Sequence, residues 1–208
     1  TEPNAQPSQI LIHLQLWGKE YIQDQETLGA FGINLIFGAY EYHDRPEFLI
    51  ESLGDSIPKG HMEVDVIEFT GPAFKDVDNR LMSLKLVEAG LANAAIFNPQ
   101  GTMVEPSELF YKKSVLIQRG SFRPVTRLAM DMLECSIAEF IQEPKVQSKE
   151  VVILLEMSIQ NLTTNNDANK IDSKDFLERV DCLSALGYPA AISNYGEFHR
   201  LAAYLFRY

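Results

Sequence analysis

The chain has 208 residues, 46% hydrophobic and 23% charged, with 29 acidic side chains against 18 basic ones. That length supports one substantial core, or one domain with an insertion, and the composition is that of an ordinary globular protein. A net charge of −11 excludes generic binding to duplex nucleic acid or an anionic membrane surface, whose phosphates would repel it on average.

The chain opens in a Pro/Gln/Asn-rich stretch, 1–9, which reads as a linker or a cut end. The remainder, 10–208, reads as a single domain that is part of a longer chain. Residues 10–16 (ILIHLQL) alternate weakly and predict a strand. A helical pattern covers 25–42, and its apolar core 28–40 is too short for a bilayer, which takes about 20 residues. It therefore predicts a buried helix. A shorter helix over 46–53 has Pro46 in its first turn. Residues 62–69 (MEVDVIEF) predict a strand with Val64, Val66, Ile67 and Phe69 turned inward.

Asp76 or Asp78 is placed to cap a helix over 77–89, in which Leu81, Leu84 and Val87 recur at helical spacing and Gly90 is the stop. Residues 94–97 predict a short buried strand, 98–101 a turn, 106–111 one helical turn and 114–118 a strand. A helix over 128–142 is ended by Glu143-Pro144. The run VVILLE, 151–156, has the continuous apolarity of a strand covered on both faces. Residues 163–170 read as a loop, 173–186 as a helix stopped by Gly187, 190–193 as a strand and 197–207 as a final helix. Cys135 and Cys182 fall within helices without C-x-x-C spacing, which predicts buried, reduced thiols in a cytoplasmic protein.

Strands alternating with helices predict an α/β fold, a mostly parallel, Rossmann-like three-layer sandwich, with a partial β/α barrel as the alternative. In either architecture ligands bind beyond the carboxyl ends of the strands. Between Leu109 and Met130 the chain carries Lys112, Lys113, Arg119, Arg123 and Arg127 with no acidic residue, a local excess of cations in an acidic molecule.

The loop Arg119-Gly120-Ser121-Phe122-Arg123-Pro124 offers guanidiniums, a hydroxyl and an approachable backbone, as phosphate or carboxylate recognition requires. The alternative is that these arginines pair with surplus carboxylates. Arg80, Ser193, Asn194 and Arg200 complete the ligand-binding candidates. Asp76 and Asp78 are candidates for Mg²⁺, or for helix capping. Glu156 and His199 are candidate acid–base groups. No metal-ligand spacing, P-loop or nucleophile elbow is present.

The blocks FTGPAFKDVDNRLMSLKLVEAG, PSELFYKKSVLIQRGSFRPVTR and ISNYGEFHRLAAYLFRY resemble a bacterial family whose members are labelled nicotinate-nucleotide adenylyltransferase or TonB-dependent receptor. No barrel pattern accompanies the second label. The first implies an I-S-x-x-x-x-R type motif, loosely echoed by Ile192-Ser193 and Arg200. Its H-x-G-H type motif has no counterpart after strand one, where Leu16-Trp17-Gly18-Lys19 stand. These readings predict a protein binding a nucleotide or phosphorylated metabolite, with nucleotidyl or phosphoryl transfer as the reaction. The alternative is a non-catalytic assembly or regulatory protein whose basic segment docks on an acidic surface. A homo-oligomer is expected in either case.

Overall fold

A computed structural model describes residues 6–164 and 167–208, which fall into two compact units, Thr1–Ala95 and Ile96–Tyr208. The first contains β1 (Gln9–Leu16), α1 (Tyr21–Glu41), α2 (Pro46–Ser52), β2 (Met62–Thr70), a 3₁₀ turn (Pro72–Phe74) and α3 (Asn79–Ala89). The expected single parallel sheet does not include its strands. β1 and β2 form an antiparallel pair of their own, with Gln9 opposite Thr70 and Leu16 opposite Met62.

The register slips between His13, opposite Val66, and Leu14, opposite Val64, so Asp65 is the extra residue of a β-bulge. The bulge explains a mixed parity in MEVDVIEF. Val64 is buried before it and Ile67 and Phe69 after it, while Val66 is only half-buried.

α1 departs most from expectation. It buries only Thr27, Phe31 and Gly38, and Ile33, Ile36 and Tyr40 are exposed instead. Those buried positions share one helical face. A Cβ at Gly38 would lie 3.1 Å from Leu49 Cγ and 3.0 Å from Ser52 Oγ, so glycine permits the close approach of α2.

α3 is fastened at its start. Asn79 pairs with both the N–H (2.8 Å) and the carbonyl (3.2 Å) of Phe69. Asp78 is the N-cap and accepts from the Arg80 N–H at 2.9 Å, and Gly90 closes the helix in the left-handed conformation. Asp78→Ala should therefore lower stability by about 1–2 kcal/mol, read from urea denaturation, whereas Asp76→Ala should leave it unchanged.

A four-stranded sheet has the order β3-β8-β5-β4: β3 (Ala94–Phe97, whose second half opens the second unit), β4 (Ser114–Arg119), β5 (Val151–Ser158) and β8 (Ala190–Ser193). β5 is central and parallel to both β4 and β8. Its helices are α4 (Pro106–Phe110), α5 (Arg127–Phe140), α6 (Ser173–Ala185) and α7 (Phe198–Leu205). The polar stretch expected as a loop contains a two-stranded antiparallel pair, β6 (Thr163–Thr164) and β7 (Asp167–Ile171). Residues 165–166 of that stretch lie outside the described residues, as do 1–5 of the expected linker.

Period-two alternation sorts the sheet's side chains onto two faces. On one, Ile96, Val152, Leu154 and Ala191 pack with Phe110 of α4 and Leu205 of α7. On the other, Phe97 meets Phe176 of α6, and Gln118 donates to the Ala129 carbonyl of α5. This unit is α/β with helices on both faces. α5 and α6 turn Leu133, Val180 and Leu183 inward, which leaves Cys135 and Cys182 exposed rather than buried. Among the described residues no helix is long and apolar enough to cross a membrane.

Candidate functional site

The carboxyl edge of the four-stranded sheet carries most of the candidate residues, and the pleat divides them between its faces. Arg119, Glu156 and Ser193 fall on the α4/α7 face. Arg119 stands directly opposite Glu156 in the parallel register. Its Nε donates to Glu156 Oε2 at 2.5 Å and its Nη2 to Oε1 at 3.0 Å. The remaining groups bind the carbonyls of Tyr195 (2.8 Å) and Gly196 (2.7 Å), while Phe198 covers the guanidinium face.

Glu156 is fully buried and also accepts from Ser193 Oγ at 2.5 Å. Four of the five donors of Arg119 are thus occupied by the protein. Arg119, Glu156 and Ser193 form a clasp that ties β4, β5 and the segment after β8 together. Arg119, expected as a ligand grip, is here held by the protein's own acceptors, and Glu156, the candidate acid–base group, is enclosed with it.

Asn194, the residue after the clasp's Ser193, is exposed. His199 and Arg200 are exposed in the first turn of α7, and both reach Glu197, at 3.5 and 3.3 Å. Arg80, Asp76 and Asp78 belong to the first unit. There Arg80 is held by Asp78 through Nε (3.1 Å) and Nη2 (2.8 Å), and the arginine is the main cause of a lowered Asp78 pKa. Asp78 is thus committed to the cap and the ion pair, and Asp76 is exposed. Among the described residues no cluster of three or more His, Cys, Asp or Glu is arranged to hold a metal.

The other face has a different balance. The loop following β4 is anchored by Phe122, which is buried with φ 47°, and by the Ser121 carbonyl, which accepts from Arg179 Nη1 at 2.8 Å. Arg179 is itself buried and bonded to Asp175. Arg123, largely exposed, reaches the same Asp175 at 3.3 Å. Arg127 begins α5 and has no carboxylate partner among the described residues. Arg123 and Arg179 therefore share one carboxylate, Asp175.

The helix starts differ in charge. α3 also has an arginine in its first turn, but Asp78 neutralises it; α6 is capped by Asp172 and carries Asp175. α5 is capped by neutral Thr126, has no acid in its first turn, and begins with Arg127. A cation at the positive end of a helix dipole costs about 0.3–1 kcal/mol unless an anion offsets it. The N–H groups of Arg127 and Leu128 have no acceptor within the helix, so they too can serve that anion.

No family model, curated protein or solved structure matches the chain. The chemistry of the loop and helix start supplies the functional argument.

Arg179 is the residue that reading the sequence overlooked. Its signal was present: it lies three after Phe176 and four before Leu183, on the apolar face of α6, where an arginine needs a buried partner.

Proposed function

We propose that the loop after β4 and the start of α5 bind a small phosphate- or carboxylate-bearing metabolite. Arg123, Arg127, Ser121 and the first N–H groups of α5 grip it, and Arg179–Asp175 fixes the loop. The observation carrying this reading is Arg127 at the positive end of α5 with no acid in its first turn, four residues after Arg123, which shares the single carboxylate of Asp175 with Arg179. The narrower form of the proposal is a Rossmann-like cytoplasmic protein that binds a nucleotide, with Mg²⁺, and transfers a nucleotidyl group in the manner of a nicotinate-nucleotide adenylyltransferase. Asn194 and Arg200 would then serve the nucleotide from the segment after β8, Ser193 being enclosed in the clasp.

Thermal-shift measurements with inorganic phosphate, sugar phosphates and ATP, with and without Mg²⁺, test the binding. A ligand at one hundred times its Kd adds about 2.7 kcal/mol of apparent stability. The shift should vanish in the double charge reversal Arg123→Glu/Arg127→Glu and persist in Lys145→Glu, an exposed charge past the far end of α5. No shift with any of these ligands, or an equal one in the double variant, overturns the assignment. Pyrophosphate release from ATP with nicotinate mononucleotide tests the narrower form separately.

A further inference from the structure

The longest helix of the first unit presents an apolar seam to solvent. Ile22, Ile33, Ile36 and Tyr40 of α1 are 64, 70, 74 and 82% exposed, with Leu28 and Phe37 half-exposed beside them. From Thr27 to Tyr40 the helix carries no charged residue. An apolar stripe of this length on a surface helix marks an interaction face.

The spacing of the seam specifies the occupant. Residues 22, 26, 29, 33, 36 and 40 recur at alternating steps of four and three, the repeat by which one helix packs along another. The pattern is also a palindrome about position 31. An antiparallel copy of the same helix sets Ile22 against Tyr40 and Gly29 against Ile33, each twice by symmetry, and lays Ile36 along the aliphatic stem of Glu26, whose carboxylate is exposed at the edge of the seam. Phe31, at the centre, points the other way into the core. A Cβ added at Gly29 or Gly32 would meet nothing within 4 Å, so the backbone there is bare and leaves a hollow for the opposing isoleucine.

The charges at the two ends agree with this polarity. In the antiparallel pair the exposed Lys19 of one copy lies toward Glu41 of the other. A parallel pair would instead set the two Glu26 carboxylates against each other, a costly arrangement in a chain of charge −11. We propose that α1 is the isologous interface of a homodimer, two copies packed antiparallel along this seam. The interface is independent of the anion site in the second unit.

Light scattering after gel filtration should give twice the 23.5 kDa chain mass. Ile33→Glu/Ile36→Glu should halve it while leaving the far-ultraviolet circular dichroism unchanged, since both side chains are exposed. Polarity is read by oxidation on a Cys135→Ser/Cys182→Ser background. Mixed Gly29→Cys and Ile33→Cys chains should cross-link to each other far more than either does to itself. A monomer at micromolar concentrations overturns the proposal, as does a dimer indifferent to the glutamates. Polydisperse aggregates, or self-linking of Gly29→Cys, would also overturn it.

Discussion

Replacing Glu156 by Ala should destabilise the chain by about 3–5 kcal/mol, the usual result of breaking a buried ion pair from one side. The carboxylate is completely buried and the Arg119 side chain only 14% exposed, so neither charge has water to fall back on. The substitution leaves a guanidinium facing a cavity and deprives Ser193 Oγ of its acceptor. The paired change Arg119→Met/Glu156→Leu removes both charges and should recover most of the loss. Urea denaturation of the two single variants and the pair gives the coupling directly. If Glu156→Ala alone costs less than about 1 kcal/mol, the level of an exposed pair, the clasp is not what holds the ends of β4, β5 and β8 together.

That clasp shows where sequence reasoning stops. The strands over 114–118 and 190–193 and the helix stops at Gly90 and Gly187 follow from local signals, because apolar runs and left-handed glycines act on their own neighbourhood. The placement of Arg119 opposite Glu156 does not. Parallel register is set by contacts between residues 37 apart, and a one-residue slip would move the arginine to the other face.

Which face of the sheet each arginine takes was hidden for a related reason. Position along the chain places Arg119, Arg123 and Arg200 near one edge, but the pleat assigns Arg119 to one face and the α6 carboxylate draws Arg123 to the other. Arg80 belongs to a separate unit. For α1, apolar content alone predicted burial. Which face of a helix meets the core depends on packing partners, and here Phe31 and Gly38 take that role while the isoleucines do not.

Asp65→Asn should stabilise the protein at pH 7.5 and lose that advantage as the pH falls. The bulge in β2 places Asp65 at 0% side-chain exposure, beside buried Glu63 and 3.0 Å from His13 Nδ1. Burial, reinforced by the Glu63 charge, raises its pKa from 3.8 to about 6, although His13 pulls the other way. The folded state therefore holds a proton between about pH 4 and 6 that the unfolded chain has released. By linkage this group's contribution falls as pH rises through that window, and is least favourable above it. At about 1.4 kcal/mol per pKa unit, the contribution spans at most about 3 kcal/mol.

The other carboxylates impose their own pH dependence, so the informative quantity is the stability of Asp65→Asn minus that of the unaltered chain. It should be positive at pH 7.5 and shrink steadily between pH 6 and 4, the asparagine oxygen still accepting from His13. A difference that is flat across this range, or that grows as the solution is acidified, would mean the carboxylate stays ionised within the strand pair. The bulge would then be serving His13 rather than tolerating a proton on Asp65.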